Sequence, residues 1–380
     1  MGERKIMTLK ILATADWQLG KAFTTLGENA KTFRNQLFDT AKEVMENHAP
    51  DYDLVVVAGD LFDSESAPFS LIEEVAKMLA DCKTPTVIIG GNHDSIASGI
   101  PKSLEDTLQL LGANHVTVMN EQRPYFNESL GVTFYPGTVK RRDDLSDQWK
   151  WIPKREKNDG IRMGVFHAAI KELPNGTLPS NVSSKKDLDI AIVGDQHGPS
   201  STDEDFHSVL FDIDTSTKRA LYYTGALEAM HIAQPFVGSF LSITMDDGKI
   251  TSAERIEVGS LRFINQEFEF VEESENPFQQ IEEFTELFDQ TNPEFTSTKL
   301  KFTGELNKEQ HEQLEQIIAT LKEKSKNLEI IEQHFTDVEI TGSNPLFDSL
   351  SDAINEKEGF EENVKKRALI LLKANLRRWQ

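Results

Sequence analysis

Five short apolar runs in the first half of this chain each end in residues that bind metals well. They read LKILATADWQ, DLVVVAGDLFD, PTVIIGGNHD, IRMGVFH and LDIAIVGDQH. Each is short and rich in β-branched residues, the pattern of a buried strand. Each leaves its polar residues where the strand stops: Asp16 and Gln18; Asp60 and Asp63; Asn92, His93 and Asp94; His167; Asp195 and His197. Open α/β sheets bind ligands outside the carboxyl ends of their strands. Residues scattered from position 16 to position 197 can therefore converge on one point. Carboxylates, amides and imidazoles together suit divalent cations, and a set this rich has room for two.

Helical patterns over Lys31–His48, Ser70–Cys82 and Ser103–Leu111 separate the motif strands, and this alternation predicts an α/β fold over residues 8–263. From Leu261 the texture changes. Strands are expected at Leu261–Phe270, Thr298–Phe302 and Leu328–Ile340, with helices at Asn276–Asp289 and Asn307–Lys326. This block carries no ligand cluster and reads as a small accessory α+β cap over residues 264–342. The breaker Gly342, Ser343, Asn344, Pro345 then leads into a helical tail, residues 343–380, with helices at Leu346–Asn355 and Glu361–Arg378.

Composition narrows the class. A chain of 380 residues exceeds one ordinary core. Cys82 is the sole cysteine, which leaves no disulfide framework and no thiolate metal site, and fits a reducing cytoplasm. No apolar run approaches the ~20 residues that cross a bilayer. The opening MGERKIMTLK lacks the apolar core of a signal peptide. The net charge of −23 opposes uniform attraction to nucleic acid or anionic membrane, and any such contact has to be local.

Asp60 has two oxygens and can bridge two ions. Ions about 3.5–4 Å apart clamp an in-line displacement. His93 follows Asn92 and need not be a ligand. An imidazole beside metals can donate a proton to a leaving oxygen, and Asp94 is expected to hold its tautomer. Asp63 stays open to two readings, a carboxylate that supports a ligand from behind and a plain turn acid.

The set resembles the calcineurin-like metallophosphoesterases, whose signature runs D-x-H, G-D-x-x-D, G-N-H-[DE], a lone His and G-H-x-H. More narrowly, ADWQLG, GDLFD, GNHDS and YTGALE are similar to the SbcD-type subfamily of DNA break-repair nucleases. The resemblance covers roughly residues 8–230. It implies two central β-sheets flanked by helices and a two-metal DNA phosphodiesterase, exonuclease on duplex ends and endonuclease on single strands or hairpins. It implies that Asp16, Gln18, Asp60 and His197 hold one metal and Asp60, Asn92, His167 and Asp195 the other, with His93 catalytic. It also implies a coiled-coil ATPase partner, expected to dock on the tail, and a homodimer. Gln18 and Asp195 depart from the pattern, each standing where histidine is usual. Their oxygen donors favour Mn²⁺, with Mg²⁺ as the alternative, over Zn²⁺.

The stretch holding Lys140, Arg141, Arg142, Trp149, Lys150 and Trp151 mixes cations with aromatics, which suits phosphate contact and base stacking. Its competing reading is a solvated loop whose tryptophans pack on the domain. Lys365, Lys366, Arg367, Lys373, Arg377 and Arg378 crowd the last helix. Two rival functions stay open: a metallophosphatase for small molecules or phosphoproteins, and a scaffold of the same fold with reduced catalysis.

Overall fold

The computed structural model describes residues 8–156, 159–171, 173–198, 200–202, 208–210, 220–234, 236–270, 278–304, 306, 308–335, 345–357, 365 and 368. The chain forms two compact units, Met1–Phe263 and Ile264–Gln380.

In the first unit the motif runs form strands as their apolar character dictates. β1 (Thr8–Thr14) leads to α1 (Ala30–Glu43), then β2 (Leu54–Ala58), α2 (Phe69–Asp81), β3 (Thr86–Ile89), α3 (Ile100–Leu110) and β4 (Val116–Val118). β5 (Tyr125–Asn127), β6 (Val132–Gly137), β7 (Ile161–His167), α4 (Val182–Lys186) and β8 (Ile190–Gly194) follow. β9 (Ser200–Thr202), β10 (Ser208–Leu210), β11 (Ala220–Tyr223), β12 (Ser239–Asp246) and β13 (Lys249–Glu257) complete the unit. One sheet runs β13-β12-β1-β2-β3-β4, with β1 to β4 parallel. The second runs β10-β9-β11-β8-β7-β6-β5, parallel from β11 to β6.

Every residue of β2, β3, β7 and β8 is buried, as expected for parallel strands covered on both faces. Ile11, Val56, Val87 and Leu241 from one sheet share a core with Phe134, Val165 and Ile192 from the other, so the sheets pack face to face. The helices expected from periodicity form with shifted ends. α3 starts three residues early because Ile100 and Pro101 suit a first turn. α1 stops at Glu43 and widens into a π turn, Val44–His48. Arg162, inside the apolar run of β7, is fully buried. Its guanidinium donates to Tyr135, Asp159, Pro153 O and Lys186 O, which satisfies a charge that could not otherwise stay there.

The second unit has a three-stranded sheet ordered β14 (Arg262–Phe270), β15 (Thr296–Gly304), β16 (Leu328–Phe335). α5 (Gln279–Phe288) and α6 (Lys308–Lys324) bury Phe284 and Leu314 with Phe268, Leu300 and Phe302 of the sheet. α7 (Pro345–Asn355) stands where the first tail helix was expected. The expected strand end after Phe335 and nearly all of the second tail helix lie outside the described residues. Among the described residues no helix is long and apolar enough to cross a membrane.

Candidate metal centre

The five motif strands β1, β2, β3, β7 and β8 all end at one edge, and their polar residues meet there. Four of the expected ligands leave their strand through the left-handed backbone region: Asp16 (φ 53), Gln18 (φ 51), Asp60 (φ 51) and Asp195 (φ 87). That conformation costs a non-glycine residue about 1–2 kcal/mol. It persists where the surroundings over-determine it, and such residues cluster at functional sites. Here the backbone supplies the restraint. Asp16 N donates to Gly59 O and Gln18 N to Asp60 O, both at 3.0 Å. Asp195 N donates to Asp16 Oδ2 at 3.1 Å. Trp17, buried between the two motif residues, donates from Nε1 to Thr14 Oγ1 and anchors the turn.

Asp16, Asp60 and His167 form the tightest group, with one ligand atom of each within 4.8 Å of the others and all three buried. Asp60 is the centre. Its Oδ1 accepts from His93 N at 2.9 Å and lies 3.4 Å from His167 Nε2. Its Oδ2 accepts from Gln18 Nε2 at 2.7 Å. His167 Nδ1 lies 2.8 Å from Ala58 O; that carbonyl can only accept, so Nδ1 carries a proton and Nε2 faces the cluster. One terminal atom of the Asn92 amide lies 3.0 Å from His167 Nε2 and 3.2 and 3.3 Å from the two Asp60 oxygens. An oxygen there is favourable only with a proton or a cation among these groups, whereas a nitrogen donates to all three. Asp16 Oδ1 is buried without a hydrogen-bond donor. Lone pairs aimed at one another and an orphaned carboxylate oxygen are what a bound divalent cation resolves, so these residues fit a metal.

The electrostatics agree. Burial pushes the Asp16 carboxyl well above the usual range, and the neighbouring Asp60 and Asp195 charges add to this against the opposing pull of His167. Burial works against a charged His167 too, but Asp60, Asp16 and Asp195 overcome it and hold the imidazole well above its ordinary value. Asp60 is held below the usual range because His167 and His93 outweigh the effect of its burial. Protons on Asp16 and His167 thus supply the positive charge that a cation would replace.

Asp195 lines a cleft beside Asn92 and His167. His197 turns Nε2 to within 3.7 Å of Asp16 Oδ1, while its Nδ1 meets the Gln234 side-chain amide. Burial holds its imidazole down to about 4. Gln18 spends its N–H on Asp60 rather than turning its oxygen to the cluster.

One expectation needs correction. Asp94 does not orient His93. Its carboxylate accepts from Gly91 N at 2.6 Å and Phe62 N at 3.1 Å, tying two motif loops together from inside the protein. Burial and then the Asp60 charge push it up to about 6. His93 Nδ1 instead lies 2.6 Å from the Asp63 carbonyl oxygen, which can only accept. That fixes the proton on Nδ1 and frees Nε2, 4.0 Å from Asp60 Oδ2. The Asp63 carboxylate pairs with Lys21 at 2.8 Å, so Asp63 supports His93 through its backbone. Lys21 and Gln234 went unnoticed in the sequence, where a lone lysine after QLG and a lone glutamine in a loop carry no pattern.

The cation–aromatic stretch also reads differently in three dimensions. Trp149 and Trp151 are half-buried against the core on the outer side of the second sheet. Trp151 Nε1 donates to Pro136 O, and the ammonium groups of Lys171, Lys185 and Lys186 lie 5.3–5.9 Å from the Trp149 ring centre. Core packing therefore takes up the ring surface expected to stack on bases. Lys150 pairs with Asp147. Lys140, Arg141 and Arg142 are exposed, and Arg142 lines the cleft.

Two packed, largely parallel sheets with a buried carboxylate–imidazole cluster at one strand edge define a metallophosphoesterase. The chain belongs to the calcineurin-like phosphoesterase family, whose model matches residues 9–199. Among curated proteins it is similar to the SbcD component of the nuclease SbcCD from Bacillus subtilis, 30% identical over 169 residues, 42% of either chain. It is also similar to the same component of the nuclease SbcCD from Staphylococcus epidermidis, 24% identical over 233 residues, 52% of this chain and 59% of that one. The matches thus span about half the length of these relatives. A solved Thermus thermophilus protein, TT1561, overlaps 66% of this chain and 99% of its own with a TM-score of 0.41 and 11% identity.

Proposed function

We propose that this chain is a two-metal phosphodiesterase that cleaves DNA in the manner of an SbcD-type nuclease. The observation that carries the reading is Asp60. It is a buried carboxylate whose two oxygens face separate partners, with His167 and Asn92 on one side and Gln18 and Asp16 on the other.

Asp16, Gln18, Asp60 and His197 would hold one cation, and Asp60, Asn92, His167 and Asp195 the other. Divalent ions there would polarise a phosphoryl oxygen and lower the pKa of water for in-line attack. Asp60 orders the site by fixing the Gln18 side chain and the His93 backbone. His93, its Nδ1 proton committed to Asp63 O, presents Nε2 as the group that passes a proton to the leaving oxygen. Lys21 pairs with Asp63 and steadies the loop on which that imidazole rests. The oxygen-rich donor set favours Mn²⁺ or Mg²⁺ over Zn²⁺.

The names of the two curated relatives support DNA as substrate, a coiled-coil SbcC-like ATPase as partner and a cytoplasmic setting. The tail from residue 343 is the segment we assign to that partner, and a homodimer completes the proposal. A second reading is favoured by the net charge of −23 and by a cleft of about 430 Å³, which suits a small substrate. It makes the chain a phosphatase of small molecules or phosphoproteins.

Incubation with plasmid and hairpin DNA beside p-nitrophenyl phosphate and its bis-ester, in Mn²⁺, separates the two. The DNA reading expects DNA and bis-ester cleavage with little monoester turnover. Rapid monoester hydrolysis with intact DNA would replace it by the phosphatase reading.

A further inference from the structure

The cleft over the metal centre has a floor of Asn92, His167 and Asp195 and two loop walls. One wall is Ala168, Ala169, Pro174, Asn175 and Thr177, small and uncharged; the other runs from Val139 to Gln148. Among the described lining residues Arg142 is the one lysine or arginine. The other charges on its wall are Asp143 and Asp144.

Asp144 is committed to the loop itself. Its two oxygens accept from Lys140 N at 2.9 Å and Ser146 N at 3.0 Å, and its own N–H donates to Arg141 O. The same loop is pinned from behind, where Ile96 N and Ala97 N donate to Val139 O and Lys140 O at 3.0 and 2.9 Å. Those donors follow directly on the Asn92–Asp94 motif, so the turn bearing Arg142 is fastened to a loop that also carries the centre. The Arg142 guanidinium, in contrast, makes no hydrogen bond or ion pair among the described residues. A guanidinium presents a planar fork matched to phosphate oxygens.

We infer that Arg142 holds a second phosphate of the substrate, the one next to the phosphodiester being cut. The inference rests on the DNA reading and makes it specific. The centre on the floor engages the scissile phosphate, and a cleft of about 430 Å³ has space for one further nucleotide-sized unit on the way to the wall. Arg142 then separates polynucleotides from simple phosphate esters, which have no second anion to offer. It does so despite the acidic chain because the contact is local. Its neighbour Asp143 penalises any substrate whose anion misses the fork.

The test compares wild type, Arg142→Ala and Arg142→Lys on a single-stranded oligonucleotide and on bis-p-nitrophenyl phosphate in Mn²⁺. The ratio of kcat/KM on the oligonucleotide to kcat/KM on the bis-ester should fall about 10–100-fold in Arg142→Ala, mainly through KM, with Arg142→Lys in between because it keeps the charge and loses the fork. The slope of log affinity for the oligonucleotide against log salt should shrink by about 0.7, one phosphate contact on a single strand. Equal fractional losses on both substrates, or an unchanged salt slope, would overturn the assignment. A wild type that hydrolyses the bis-ester and leaves the oligonucleotide intact would overturn the DNA reading itself. That outcome is read from the wild type alone, before any variant is compared.

Discussion

Asp60 and His93 divide the chemistry between them at the scale of single side chains. Asp60 is buried, held below the usual carboxylate range by His167 and His93, and bonded through both oxygens. Asp60→Asn keeps the shape but replaces one oxygen by an amide nitrogen, which repels a cation and cannot bridge. We expect DNA and bis-ester cleavage to fall at least about 10³-fold with an unchanged circular dichroism spectrum. A folded Asp60→Asn protein with substantial Mn²⁺-dependent activity would contradict a bridging role. His93 is a quarter exposed and its Nδ1 is tied to Asp63 O, the arrangement of a proton carrier rather than a ligand. His93→Asn should lower kcat by roughly 10²–10⁴-fold and leave Mn²⁺ affinity by calorimetry within a few-fold of wild type. A large loss of bound metal in that variant would move His93 among the ligands.

At the scale of elements, the centre depends on how closely the strand ends approach. A Cβ at Gly91 would stand 2.1 Å from Asp60 Oδ1 and 2.5 Å from Asp60 N. Backbone cannot yield cheaply, so Gly91→Ala should displace the Asp60 carboxylate. Metal affinity should drop about 10–100-fold and stability by roughly 1–3 kcal/mol, measured by calorimetry and denaturant melts. A second device lies away from the centre. Glu228 accepts from Thr40 of α1 at 2.6 Å and from Ser260 N and Leu261 N, both at 2.8 Å, just before β14. Burial raises its carboxyl despite these donors and Arg262. A raised acid contributes its stability below the unfolded value and loses it as pH rises through the folded value. Glu228→Gln removes that titration but leaves N–H groups without an acceptor, at a cost of about 1–3 kcal/mol. The variant's deficit in urea midpoint should therefore be larger at pH 4.5 than at pH 7. A deficit independent of pH would show that Glu228 does not titrate in this range.

The strand-end motifs were legible because a buried parallel strand has to be apolar throughout, so its first polar residue marks the edge where ligands sit. The partners of those residues were less so. Asp94 reads as an imidazole partner from adjacency alone, yet adjacent side chains diverge at a turn, and a backbone carbonyl thirty positions away took the role. Trp149 and Trp151 have the composition of a stacking platform, and composition does not say which face of a ring the core will claim.

At the scale of the whole molecule, a net charge of −23 and a nucleic-acid substrate are compatible only if attraction is local. The cations supplying it are the metals and Arg142, so activity should depend on divalent ions far more than on bulk electrostatics. The most direct measurement is anomalous diffraction at the manganese edge from crystals soaked in Mn²⁺. Two peaks about 3.5–4 Å apart are expected, one on either side of the Asp60 carboxylate, with His167 and Asn92 near one and Asp16 near the other. A single peak, or peaks that do not share Asp60, would contradict the two-metal centre.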